Sequence, residues 1–161
     1  IRMKFKLLVY IIIFAVVSGF SILTGCKKDI LLDYRIPLDN VWIIDSIDNS
    51  LVKGENKLRI HKVYAVNDYD SLNKMNPFIG DMLADKSVDF SRQTLLICLY
   101  ATTTATVLEA VNFCYWPDED QYGLIMHSKD LNSDAPICLH LLLATTSKIY
   151  PKKEIAFRGS I

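Results

Sequence analysis

From Val88 to the C terminus, apolar-rich runs alternate with turn-forming clusters, and one register unites several of the runs. Gln93 to Tyr100, Ala105 to Trp116, Gln121 to Ser128 and Pro136 to Thr145 read as strands, with Lys153 to Phe157 as a last edge strand. Pro117-Asp118-Glu119-Asp120 is expected to be a hairpin turn, and Ser128 to Asp134 a longer loop. Pairing Trp116 with Gln121 gathers Val107, Val111, Phe113 and Tyr115 on one face with Tyr122, Leu124 and Met126. The same parity in the next strand adds Ile137, Leu139, Leu141 and Leu143, and only Glu109 breaks the set. A one-residue slip exchanges the two faces of a strand, so agreement across three strands predicts an antiparallel meander. The opposite face carries Leu108, Asn112, Cys114, Ile125, His127, Cys138 and His140.

Upstream, Val41-Trp42-Ile43-Ile44 predicts a strand ending in Asp48-Asn49-Ser50. Lys57 to Tyr64 alternates imperfectly, the pattern of a half-buried strand. Asn67 or Asp68 can cap a helix whose first turn holds acids and which must yield near Asn76-Pro77, with a second short helix from Phe78 to Ala84. The expected fold is α+β, an antiparallel sheet of about five to six strands with one or two helices covering one face.

The N-terminal stretch has a different logic. Met3 is read as the translation start. Lys4 and Lys6 precede an apolar run from Leu7 to Leu23, interrupted by Ser18 and Gly19 before Phe20 and the final Ile22-Leu23, the layout of a secretory signal peptide. A spanning helix needs about 20 apolar residues, so length alone does not decide. The ending does: Leu23-Thr24-Gly25-Cys26 resembles the lipobox of bacterial lipoproteins, which implies cleavage before Cys26 and acylation at that residue. Two or three acyl chains, at about 0.8 kcal/mol per buried methylene, anchor stably where one does not. The expected organisation is a signal peptide over 1–25, a lipidated tether over 26–40 and one α+β domain over 41–161. Lys27-Lys28-Asp29 loosely resembles a Bacteroidetes surface-export signal, which favours the outer membrane and leaves the leaflet open.

Cleavage removes Arg2, Lys4 and Lys6, leaving fifteen Lys and Arg against eighteen Asp and Glu, a net charge of −3. A slightly acidic chain without a basic cluster argues against nucleic acid as a partner. Cys98, Cys114 and Cys138 remain besides Cys26, an odd number that cannot form a fully paired framework. Structural thiols are the expected state, and a Cys114–Cys138 disulfide is the candidate pairing, although it requires a change of the meander's register. A zinc site with His127 and His140 would suit the residue types, yet no close Cys-x2-Cys pair exists, and neither metal nor other cofactor is expected. His61, His127 and His140 have no sequence-level link to a nucleophile, and no thiol stands at a helix start that would activate it. No catalytic residue is assigned. Asp118-Glu119-Asp120 lacks the glycine and distal Glu of a calcium loop, and Thr102-Thr103-Thr104 reads as a strand connection. Asp45-Ser46-Ile47 and Asp70-Ser71-Leu72 resemble the Asp-Ser/Thr-aliphatic sequon of Bacteroidetes O-glycosylation, making Ser46 and Ser71 candidate acceptors.

The block Val88-Asp89-Phe90-Ser91-Arg92-Gln93-Thr94-Leu95-Leu96 resembles a signature of small, uncharacterised Bacteroidetes lipoproteins. It is more distantly similar to the C-terminal domain of the protease-complex subunit PrcB, in which a Gly-Gly-Tyr element follows. Here Ala101-Thr102-Thr103-Thr104-Ala105 stands in that place. The resemblance, which spans roughly Ile60 to Phe157, implies an α+β fold and supplies no catalytic residues. The expected function is that of a non-enzymatic, lipid-anchored envelope protein binding a protein or glycan. The alternatives are an accessory or inhibitory subunit of an envelope protease and an enzyme using Cys or His on the mixed sheet face.

Overall fold

The computed structural model describes residues 34–160, apart from 46, 48–50, 54–56 and 133. The expected signal peptide, the candidate lipidation residue Cys26, most of the expected tether and the candidate acceptor Ser46 lie outside the described residues. Of the two compact units, 1–35 and 36–161, the second contains nearly all of the described residues. Its elements are β1 (Arg35–Ile36, shared with the first unit), β2 (Leu38–Asp45), β3 (Val63–Val66), α1 (Tyr69–Met75) and α2 (Pro77–Met82). Then follow β4 (Gln93–Thr103), β5 (Thr106–Trp116), β6 (Gln121–Asp130), β7 (Ile137–Ser147) and β8 (Ala156–Ser160). Among the described residues no helix is long and apolar enough to cross a membrane.

The α+β expectation holds, but the single sheet of five to six strands does not: among the described residues there are two four-stranded sheets, ordered β2-β7-β4-β3 and β1-β5-β6-β8. The first is antiparallel, whereas in the second β8 runs parallel to β6. The first sheet lies in the middle of the domain. Leu95, Ile97 and Leu99 of β4, with Leu141 and Leu143 of β7, meet Leu72 of α1 and Ile79 of α2. From the other face, Leu96, Cys98 and Tyr100 of β4, with Leu142 and Ala144 of β7, meet Phe113, Leu124 and Met126 of the second sheet. Burial on both faces explains why β4 and β7 read as apolar runs rather than as alternation.

The expected register within the β5–β6 hairpin is found: Trp116 pairs with Gln121, Phe113 with Leu124 and Val111 with Met126. Glu109 breaks the pattern because the register shifts there, between Leu108 and Ala110. The extra residue turns Leu108 inward and leaves Val107 half-exposed. The meander beyond the hairpin is a misreading. β7 does not follow β6 in one sheet; it lies between β2 and β4, with Leu139, Leu141 and Leu143 turned to the helices. The loop after β6 crosses between the sheets beside the two-residue link from β4 to β5. Leu131 N–H donates to Ala105 O and Thr104 N–H to Pro136 O, which ties the two crossings together.

The sandwich is drawn in at both edges. Pro37 carries the chain from β1 in one sheet to β2 in the other, and a bridge between Val63 and Ile155 joins the opposite side. Because Leu38 already pairs with Thr146, β2 begins before the expected domain start at Val41. The strand expected from Lys57 to Tyr64 reduces to β3, because His61 has a φ of 61°. Histidine is among the non-glycine residues that tolerate this region.

Asn76 joins the two helices. Its N–H donates to Leu72 O at the end of α1, while its side-chain oxygen accepts from Phe78 N–H at the start of α2, where Pro77 occupies the first turn. Only 2% of Asn76 is exposed. Asn76→Ala is therefore expected to lower stability by about 1–2 kcal/mol, the usual loss for a helix cap. Urea unfolding of the variant beside the parent would measure it.

On the outer face of the second sheet, the Trp116 ring lies over Gly123. An alanine Cβ at Gly123 would stand 2.2 Å from Trp116 Cη2. The ring thereby reaches across β6 to Arg158 of β8, whose guanidinium carbon is 4.1 Å from its centroid. Cys114 is buried on the same face beside Gly123, and its thiol donates to Gly123 O.

Candidate functional site

Where β4 passes into β5, the two sheets part and leave a pocket of about 450 Å³. Asp45 and Ile43 of β2, Tyr100 and Thr102 of β4, His140 of β7 and Phe157 of β8 line it, with Thr106, Leu108, Met126 and Ser128 from the β5–β6 hairpin. His61 forms part of the rim, stacked on Phe157 at 4.9 Å with the rings only 4° from parallel. The walls are mostly apolar, and the polar groups come from separate strands.

A hydrogen-bonded chain runs along one side. Asp45 Oδ1 is 2.7 Å from His140 Nδ1, and His140 Nε2 is 2.9 Å from both Cys138 Sγ and Thr102 Oγ1. Cys138 and His140 share a face because they are two apart on β7. Asp45 arrives because β2 pairs with β7 so that Asp45 stands opposite His140, and Tyr100 stands opposite on the other side. Tyr100 stacks on the imidazole at 5.1 Å and fixes its plane. Burial pushes the Tyr100 phenol up to about 12, with the charge of Asp45 acting in the same direction. It therefore stays a neutral phenol at ordinary pH.

Cys98, Cys114 and Cys138, grouped on one face by the expected meander, are dispersed. Cys98 is buried between the sheets, Cys114 lies on the outer face, and Cys138 stands beside the pocket. None is in a disulfide, and the candidate Cys114–Cys138 bond is not formed because the two thiols belong to different sheets. His127 is exposed, and parity on β6 turns it outward, away from His140. Among the described residues no group of three or more His, Cys, Asp or Glu could hold a metal ion. The Asp45–His140–Cys138 chain is linear, each ring nitrogen facing a different neighbour, so its atoms do not converge on one point.

Asp118-Glu119-Asp120 lies in the β5–β6 hairpin turn. Tyr115 hydroxyl donates to Asp120 Oδ1 at 2.6 Å and, with Lys152 nearby, holds that carboxyl below its ordinary range. Ser71 lies exposed in the first turn of α1, its hydroxyl donating to Asp68 Oδ2. The Val88–Leu96 block launches β4. Asp89 Oδ1 accepts from Ser91 N–H, Phe90 packs edge-to-face on Tyr69, and Lys148 Nζ donates to Phe90 O.

Sequence reasoning did not single out Asp45, Tyr100 or Thr102 as site residues. The spacing of Cys138 and His140 on one strand face was visible, whereas the partner from β2 is distant in sequence. A scan against family models, a search of curated proteins and a search of solved structures give no match.

Proposed function

We propose that this chain is a lipid-anchored cell-envelope protein whose inter-sheet pocket binds a saccharide. The anchor rests on Leu23-Thr24-Gly25-Cys26, and an outer-membrane address on the residues that follow. The pocket carries the binding reading. Its volume of about 450 Å³ lies within the span of small-ligand sites, roughly 300–1,000 Å³. Aromatic and aliphatic walls suit the C–H faces of a sugar ring. Asp45 and His140, with the hydroxyls of Thr102, Thr106 and Ser128, offer donors and acceptors around that ring.

Calorimetric titration of the acylated protein in detergent tests this reading, using hexoses, N-acetylhexosamines and their short oligomers. Saturable heat is expected with at least one of them. Asp45→Ala, which removes a charged acceptor, should weaken binding about tenfold, equivalent to about 1.4 kcal/mol. No heat with any saccharide, from protein whose near-ultraviolet circular dichroism is native, would defeat the proposal.

A further inference from the structure

We propose that Cys138, His140 and Asp45 form a nucleophilic relay through which Cys138 takes up an acyl group from an activated ester or thioester. This goes beyond saccharide binding and requires none: reaction at the thiol and occupancy of the pocket are separate properties.

The inference begins with hydrogen-bond arithmetic at one imidazole. Asp45 Oδ1, at 2.7 Å, is an acceptor and fixes the proton on His140 Nδ1. In the tautomer with its proton on Nδ1, Nε2 is an acceptor with one lone pair. Two donors face it, Thr102 Oγ1 and Cys138 Sγ, each at 2.9 Å. Thr102 has another acceptor, Thr103 O at 3.2 Å. The Cys138 thiol is thus left as the donor to Nε2. Carboxylate, imidazole and thiol stand in the order of an activated nucleophile: a base touching the thiol and a third group orienting the base. Stacking by Tyr100 holds the ring in that orientation.

Two comparisons set Cys138 apart from the other thiols. Cys98 and Cys114 are buried and their thiols point at backbone carbonyls, Leu99 O and Gly123 O. Cys138 is partly exposed and faces a base. Its base also lines the pocket, so an acyl chain seated against Ile43, Leu108 and Phe157 has an imidazole beside it.

In the reaction, the Sγ–H bond breaks and its proton passes to His140 Nε2 as a new Sγ–C bond forms at the acyl carbon. The bond from that carbon to the leaving oxygen or sulfur then breaks, and the leaving group takes the proton from Nε2. The products are a Cys138 thioester and a released alcohol or thiol, with no change of oxidation state. Cys138 and His140 are the catalytic residues; Asp45 is a positioning residue.

The test uses the full acylated chain in detergent with p-nitrophenyl acetate at fixed pH, followed by peptide mass mapping. One acetyl group is expected on Cys138, with one equivalent of nitrophenolate released. His140→Gln should slow acetylation about a hundredfold, the lower range of general-base contributions. Asp45→Asn should slow it about tenfold and Asp45→Glu should restore most of the rate, a rescue that a merely structural carboxylate would not show. The proposal is overturned if Cys138 in His140→Gln reacts at the parent rate, or if acetyl maps to other residues. Should the substitutions unfold the domain, native iodoacetamide labelling of the parent still decides. Cys138 must be alkylated faster than free N-acetylcysteine at the same pH, and an equal or slower rate refutes the relay. Saccharide titration of Cys138→Ser separates the readings, since retained heat with no acetylation leaves the binding proposal intact.

Discussion

Raising the pH above 9 is expected to unfold this domain progressively, through Cys98 and Tyr100. Burial alone pushes the Cys98 thiol from 9.0 to about 12. Tyr100 rises from 10.0 to about 12, first through burial and then through neighbouring negative charge. Both folded values lie above the unfolded ones. The stabilisation is therefore whole below pH 9 and is lost as the pH climbs towards 12, where the unfolded chain ionises more readily. Each pH unit between the two values amounts to on the order of 1 kcal/mol per group, so Cys98 alone carries several kcal/mol. Urea midpoints measured from pH 8 to pH 11.5 should fall steadily. Cys98→Ala should remove the part of the slope that begins near 9, and Tyr100→Phe the part that begins near 10. Midpoints that stay level across this range in the parent would contradict the burial of both groups.

Gly123→Ala is expected to destabilise the domain by about 1–3 kcal/mol, as overpacking in a filled site usually does. The new Cβ would meet three atoms of the Trp116 ring, at 2.2, 2.5 and 2.9 Å. Only 8% of Trp116 is exposed, and the Arg158 guanidinium lies over its ring, so it cannot swing aside without losing that contact. Pairing Gly123→Ala with Trp116→Ala isolates the clash. The glycine substitution should be nearly neutral once the ring is gone, although the Trp116 variant itself loses about 3–5 kcal/mol. A Gly123→Ala variant as stable as the parent would show that the ring does not lie where the structure puts it. Thermal or urea unfolding of the four proteins completes the cycle.

These effects indicate which parts of the molecule local sequence could express. The β5–β6 hairpin was legible because its partners are joined by a short turn, and Glu109 marked a bulge by failing to fit. The helix pair was legible through Asp68, Asn76 and Pro77, which act on their immediate neighbours. The place of β7 was not legible. Parity states which residues share a face but carries no information on which sheet the strand enters, and β7 is apolar on both faces because both are buried. The same blindness hid the relay. Cys138 and His140 could be paired by spacing, but Asp45 joins them only through the β2–β7 register. His61 was read as part of a strand, and its left-handed backbone instead places it at the pocket rim against Phe157.

The pairing of β2 with β7 also bears on how the chain reaches its native state. Leu38 meets Thr146, so an early strand is completed by one that follows it more than a hundred residues later. β4, too, finds β7 only after the whole β5–β6 hairpin has intervened. Long-range pairings of this kind are slow, since the loop must close before any contact rewards it. The hairpin can form early on its own connectivity, while the middle sheet waits for Ile137–Ser147. A chain released before that segment would hold β2 and β4 without the strand between them, with their hydrogen-bonding edges open to other chains.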